Sequence, residues 1–264
     1  MKIAWIGAAA LLLLSACQSG QPLRQVTRGE EIYFNDFSQS ASFEEGSYDG
    51  ATLRVRDGVY RIDVTTGDNT LWWGQWGEPQ TDVIIDVDAE QTSEAPQTIY
   101  GVMCRVRGSV GLAQTPDADL LAILTDTPTE SVSETTPEAD QTPEVEAGTA
   151  EPSAVVEPQP NNGDGYLFLL QGTGQFAILR ARGRDVTPLV DWTPSDIVNP
   201  APGSNHIRAI CDGNYLALYI NDQFAAEATD DAYREGQIGL VAGAANRLGV
   251  RVNFDNLSVA APAE

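Results

Sequence analysis

The chain has 264 residues, with 38 acids against 15 bases and a formal net charge of −23. So acidic a molecule repels nucleic-acid phosphates and anionic lipid head groups, which excludes nucleic acid as a partner and leaves neutral glycans, cations and basic proteins. The length is enough for a full β-sandwich core.

Lys2 precedes an apolar run from Ile3 to Leu14 that closes on Leu14-Ser15-Ala16-Cys17. A basic start, ~7–15 apolar residues and small residues at the cut mark a secretory signal, and this run is too short to span a bilayer as a mature helix. It resembles a bacterial lipoprotein signal, with residues 1–16 removed and Cys17 as the first mature residue. The resemblance implies a diacylglycerol on Cys17, so that acyl chains hold an exported protein at the cell envelope. An ordinary signal peptide cut nearby is the alternative. Residues 17–30 are polar, contain Ser, Gly and Pro, and show no period, which predicts a flexible tether.

Short apolar runs follow at 32–34, 53–55, 59–64, 83–87 and 99–106, punctuated by Gly, Asp and Asn, the pattern of strands and turns. Tyr60, Ile62 and Val64 alternate with Arg61 and Asp63, placing apolar groups on one face and charges on the other, as in a half-solvated antiparallel strand. Residues 109–163 then form a Thr/Pro/Glu-rich insert, with eleven acids and no Lys or Arg between Ala113 and Pro160. Its apolar content is too small to offset the entropy of ordering, which predicts disorder. Leu120-Leu121-Ala122-Ile123-Leu124 is the exception, an apolar island that reads as a transient helix or a docking strip. By composition alone the insert also suits glycosylation on Thr or Ser.

Strands resume at 166–170, 176–180, 207–211, 215–220, 237–241 and 250–254, with Asp212-Gly213-Asn214 and Asn221-Asp222-Gln223 as turns. No helical period occurs in the mature chain. The expectation is one all-β domain over 31–264, a two-sheet antiparallel sandwich interrupted by the insert, because neither half has the strands to close its own core. With Cys17 assigned to lipid, Cys104 and Cys211 remain as an even pair in an exported chain. They predict a disulfide between neighbouring strands or across the sandwich, two buried free thiols being the alternative. His206, the only histidine, follows Asn205 at a loop-to-strand edge and reads as a surface side chain.

Several stretches carry a wider resemblance: Phe34-Asn35-Asp36-Phe37, Tyr100-Gly101-Val102-Met103-Cys104-Arg105, Gly165-Tyr166-Leu167-Phe168, Asp191-Trp192-Thr193-Pro194-Ser195 and Asn205-His206-Ile207-Arg208. The segments from Cys211 to Asn221, from Gly236 to Leu240 and Phe254-Asp255-Asn256-Leu257 add to it. In these the chain is similar to the concanavalin A-like lectin/glucanase superfamily, in the group akin to laminin-G-like and 3-keto-disaccharide hydrolase-type domains. The resemblance implies a jelly roll of two stacked sheets, one of them curved, with a concave face that often binds sugars. Activities vary widely on that fold. The acidic insert departs from the compact pattern by separating two strands that a short loop would join.

Three groups are candidates for chemistry. Asp86-Val87-Asp88-Ala89-Glu90 sets Asp86, Asp88 and Glu90 on one face of a strand. It is similar to the Glu-x-Asp strand of laminarinase-type glycoside hydrolases, whose retaining mechanism needs two carboxyl groups ~5–5.5 Å apart. Here the first acid is Asp, whose shorter side chain misplaces a nucleophile, and a solvated strand edge explains the same residues. Trp72, Trp73 and Trp76 offer flat faces to a sugar, although alternation puts Trp72 and Trp73 on opposite faces and one of them in the core. Trp192 reads as a loop anchor. Asp36 and Asp255 meet if the terminal strands pair and would then contribute to a structural calcium site, while Asp255-Asn256 reads equally as a turn. A phosphate-cradling glycine loop, a zinc pattern and a serine nucleophile elbow are all lacking, so no other cofactor is expected. These residues point to a lipid-anchored envelope protein with a non-catalytic binding module for glycan. The alternatives are a glycoside hydrolase using the strand carboxylates and a structural surface protein with a protein partner.

Overall fold

The computed structural model describes residues 21–39, 43–65, 70–108, 163–183, 185–244 and 249–263. The signal, Cys17 and all of the acidic insert except Gly163 lie outside them.

Strands and turns make up the described chain. In order they are β1 (Arg28–Asn35), β2 (Gly46–Ser47), β3 (Ala51–Arg56), β4 (Val59–Val64), β5 (Thr70–Gln80), β6 (Val83–Gln91), β7 (Thr98–Arg107) and β8 (Asp164–Gln171). There follow β9 (Gln175–Arg182), β10 (Asp185–Pro194), β11 (Gly203–Asp212), β12 (Tyr215–Ile220), β13 (Gln223–Thr229), β14 (Gly236–Ala244) and β15 (Val250–Pro262). They form two antiparallel sheets. The nine-stranded sheet runs β13-β12-β11-β6-β15-β4-β3-β2, and β1 follows β4 along the same edge of the long strand β15. The six-stranded sheet runs β10-β9-β8-β7-β14-β5.

Period-two alternation makes this a sandwich. Val83, Ile85, Val87 and Ala89 of β6, with Val250, Val252 and Phe254 of β15, point inward from the larger sheet. Tyr100 and Val102 of β7, with Tyr166, Phe168 and Leu170 of β8, meet them from the smaller one. Of the intervening residues, Asp86, Asp88 and Glu90 of β6 and Arg251, Asn253 and Asp255 of β15 are polar and face out, whereas Ile84 of β6 packs with Ile210, Tyr215 and Ala217 in a small apolar cluster on that side. Two tight hairpins set the register at one edge. Asn221 and Asp222, both at positive φ (52° and 62°), join β12 to β13, and Gly213, at φ 60°, opens the turn from β11 to β12.

Cys104 of β7 and Cys211 of β11 form a disulfide, with Cα atoms 6.8 Å apart, that crosses the core and ties one sheet to the other. Beside it Arg105 has φ 55° at a register shift in the β7–β8 ladder, and its side chain is 1% exposed. The guanidinium donates to the carbonyls of Thr81 (2.9 Å), Gly213 (2.8 Å) and Tyr233 (2.8 Å) and to the Asp82 carboxylate (3.1 Å). A buried charge is stable only when its donors are used, and here one side chain pins three loops.

The structure departs from the sequence expectation in three places. The first strand starts at Arg28, inside the expected tether. Residues before it are also held: Leu23 donates its amide to Glu227, and Arg24 pairs with Asp212 at 2.5 Å. Trp192 lies in β10 rather than a loop. Finally β2, β10 and β13 were not read as strands, and β5 was read only at its tryptophans; all four are sheet edges, as is β1, which was read from 32–34.

Candidate functional site

Beyond the apolar cluster of Ile84, Ile210, Tyr215 and Ala217, the outward face of the nine-stranded sheet is a lattice of polar side chains set by register. Arg208, Asp86 and Ser258 lie side by side across β11, β6 and β15, and His206, Asp88 and Asp255 form the next row. A third row runs Ser204, Glu90, Asn253, Arg61 and Arg54, extending to β4 and β3.

Asp86, Asp88 and Glu90 share one face, as period two requires, and each is engaged. Asp86 is buried and accepts from Arg28 (2.7 Å) and Arg208 (2.6 Å), with His206 Nε2 at 3.4 Å. Burial pushes its carboxyl up, but the bond to His206 and the charges of Arg208 and Arg28 outweigh that and hold it below the usual range. Asp88 pairs with His206 Nδ1 at 2.8 Å and accepts from Asn256 at 2.9 Å. Glu90 accepts from Asn253 at 3.2 Å, and Asn253 in turn accepts from Arg61 at 2.9 Å. His206 is therefore no isolated surface group. Its bond to Asp86, with burial opposing and Asp88 reinforcing, raises its pKa to about 9. The three acids follow one another along a strand, about 6–7 Å per two residues, rather than facing each other across a cleft. Asp86, ionised between three cations, has no proton to give and little basicity.

At the other end of this face lies a pocket of about 410 Å³, between β3, β4 and β15. Its centre is Asp63, which accepts from Arg251 Nε at 2.5 Å and faces Arg54 Nη2 at 3.5 Å. Thr52, Thr65, Thr92 and Ser93 put hydroxyls around this triad, and Val64 and Val250 supply apolar lining. Arg54 Nε is buried and makes no hydrogen bond. These residues come from three strands and the loops after β4 and β6, and only Asp63 stood out in the sequence, as the polar member of an alternating strand. Guanidinium donors, a carboxylate acceptor and hydroxyls that do both match the mixed donor and acceptor character of a sugar's hydroxyls.

The tryptophans form no exposed platform. Trp72 points into the core against Tyr48, with ring centroids 5.4 Å apart. Trp73 lies on the outer face of the smaller sheet, 7% exposed, and donates to Gln75 at 2.9 Å. Trp76 stacks on Tyr33 at 3.8 Å at the core's edge. For calcium, β1 and β15 do pair, with Asn35 opposite Leu257, which brings Asp36 to the strand end near Asp255. Asp36 accepts from the Ser38 amide at 3.0 Å and Asp255 from the Asn256 amide at 2.7 Å, so each serves a local turn. Among the described residues no three His, Cys, Asp or Glu side chains cluster as metal ligands. Two carboxylates fall short of the 6–8 oxygens that Ca²⁺ takes, so these residues do not fit a calcium site by themselves.

This two-sheet arrangement is a jelly-roll sandwich, and solved structures share it. The chain is similar to a β-glucanase of Bacillus licheniformis, with TM-score 0.54 and 8% identity over 88% of this chain and 98% of that one. It is similar to a Bacillus subtilis protein of unknown function with a galectin-like fold, with TM-score 0.52 and 14% identity over 91% and 100%. The catalytic domain of an endo-1,3-β-glucanase (laminarinase) from Thermotoga petrophila RKU-1 aligns with TM-score 0.50 and 8% identity over 90% and 100%. At these identities the likeness shows the fold alone. No family model matches the chain, and no curated protein matches it.

Proposed function

We propose that this is a lipid-anchored cell-envelope protein whose jelly-roll domain is a non-catalytic binding module for glycan, with the Arg54–Asp63–Arg251 pocket as its site. The observation that carries the reading is the pocket itself. Its charged groups are fixed by one another, so little side-chain entropy is lost on binding, and Arg54 Nε is a buried donor in want of an acceptor. Two of the similar structures are glucanases, which keeps hydrolysis as the second reading. Against it stands Asp86, held ionised by Arg28, Arg208 and His206.

The test is a glycan-array screen of residues 18–264, run beside Asp63→Asn and Arg251→Ala, each checked for folding by circular dichroism. Loss of one charge-assisted hydrogen bond costs about 1.5–3 kcal/mol, so bound glycan should dissociate roughly 10- to 150-fold more readily from the variants. Binding that survives both changes would remove the pocket from the reading. Silence across the array would move it to a protein partner or a structural role. Turnover of a bound glycan that Asp86→Asn abolishes would favour the hydrolase.

A further inference from the structure

A second cleft opens on the outward face of the nine-stranded sheet, toward the edge opposite Arg54, Asp63 and Arg251. It holds about 460 Å³, a volume typical of ligand pockets, and shares no residue with the first. One wall is the β12–β13 hairpin, with Tyr219, Asp222, Gln223 and Phe224. The other is the chain leading into β1, with Gln21, Gln25, Val26 and Thr27.

Both walls are fixed before any ligand arrives. The side-chain amide of Asn221 donates to the Ile197 carbonyl (2.7 Å) and to Asn205 Oδ1 (2.8 Å), and its oxygen accepts from the His206 amide (2.9 Å), which holds the tip of the hairpin. The facing segment is tied by the Leu23 amide to Glu227 (3.0 Å), by Arg24 to Asp212 (2.5 Å) and by the Ala263 amide to the Thr27 carbonyl (2.8 Å). Val26 and Tyr219 rest on the apolar cluster of Ile84, Ile210, Tyr215 and Ala217. So little ordering is left to be done on binding.

The lining differs from the polar lattice beside it, where carboxylates and guanidiniums satisfy one another. Here no described residue hydrogen-bonds to the side chains of Gln21, Gln25, Asp222 or Gln223, so these groups give up only water to a ligand. Tyr219 and Phe224 are half-buried and meet edge to face, with centroids 5.5 Å apart at 69°. Amides that both donate and accept, set beside aromatic rings, match the hydroxyl rim and the apolar C–H face of a sugar ring. Among the described lining residues Asp222 alone is charged, and Arg24 nearby is spent on Asp212, which disfavours an anionic sugar.

We infer that this cleft is a second glycan site, which takes a neutral sugar unit against Tyr219 and Phe224 and hydrogen-bonds it through Gln25 and Gln223. The inference rests on the reading of the domain as a glycan-binding module and adds to it a site independent of the Arg54–Asp63–Arg251 pocket.

A ¹⁵N NMR titration of the exported full chain tests this, with cellohexaose, laminarihexaose and mannohexaose as neutral probes and hexagalacturonate as the acidic one. At least one neutral hexasaccharide should shift the side-chain amide signals of Gln25 and Gln223. The midpoint of that shift should rise roughly 3- to 10-fold in Phe224→Leu, which keeps apolar bulk and loses the ring, and in Gln223→Ala, where an exposed side chain is removed without risk to the fold. Asp63→Asn should leave it unchanged. Shifts at Gln25 and Gln223 with none at Arg251 Nε would support this cleft and sink the first pocket. Shifts at Arg251 Nε alone would overturn the second site and spare the first, and stillness at both with every neutral probe would overturn the second site together with the glycan reading. Midpoints unchanged in both cleft variants would also overturn it, and a response to hexagalacturonate as strong as to any neutral probe would overturn the ligand class.

Discussion

His206 sits between two carboxylates, with Nδ1 2.8 Å from Asp88 and Nε2 3.4 Å from Asp86. Its folded pKa of about 9 stands above the ordinary 6.5, chiefly through the bond to Asp86. The stabilisation it lends is therefore complete below about pH 6.5 and is lost as pH rises through about 9, while the unfolded chain has already released its proton. Asp86 acts in the opposite sense. Its carboxyl is held below 3.8, so its contribution is present above that pH and disappears on further acidification. An NMR titration of the ring should give an apparent pKa near 9. The urea midpoint should fall between pH 6.5 and 9 in the wild type and stay level there in His206→Gln. A ring titrating near 6.5 would mean that the carboxylates do not hold it. In the sequence this residue showed no partner, because Asp88 lies 118 positions away and only strand register brings the two together. The pairing of Asp63 with Arg54 and Arg251 was hidden in the same way. The carboxylates of β6 could be read because period two operates within one strand, whereas their cationic partners come from β1 and β11.

Among the elements, legibility followed position in the sheet. Interior strands such as β6, β7, β8, β11 and β15 pack on both sides and need runs of apolar or β-branched residues, which the sequence displays. The edges β1, β2, β5, β10 and β13 face a neighbour on one side only and tolerate what an interior strand does not, and of these only β1 and the tryptophans of β5 were read. Pro188 and Pro194 sit in β10, Gly77 and Pro79 in β5, and β13 is rich in Ala. The cysteine pairing was readable from number and compartment, and its place across the core follows from both residues falling in interior strands. That bridge closes a loop with a sequence separation of 107, which includes the insert. Constraining so long a loop in the unfolded chain contributes about 4.7 kcal/mol on the chain-entropy model. Replacing Cys104 and Cys211 by Ser should lower the calorimetric midpoint by roughly 10–18 °C for a domain of this size. A shift below about 2 °C would show that the core alone fixes the relation of the two sheets.

At the scale of the whole molecule, the net charge decides what a membrane anchor would have to supply. With a net charge of −23 the protein has no electrostatic attraction to an anionic bilayer, so on the proposed reading membrane affinity comes from the acyl chains on Cys17 alone. The polar stretch expected to be a tether is not all free, since Leu23 and Arg24 are bound to Glu227 and Asp212. That leaves only a few residues between Cys17 and the folded surface, a reach of about 15–20 Å. The attachment lies at β11 and β13, whereas the pocket lies between β3, β4 and β15, four strands further across the same sheet. At about 4.8 Å per strand the pocket is roughly 20 Å from that edge, so on the proposed reading a short tether does not cover it. Two consequences separate this arrangement from adsorption through the folded surface. Wild-type protein should remain in the membrane fraction through washes in concentrated salt and be released by detergent, because screening leaves buried acyl chains untouched. Cys17→Ala should move to the soluble fraction, with glycan binding unchanged since the pocket does not depend on the anchor. Retention of Cys17→Ala on membranes after a salt wash would place the attachment in the folded domain, and release of the wild type by salt alone would exclude an acyl anchor.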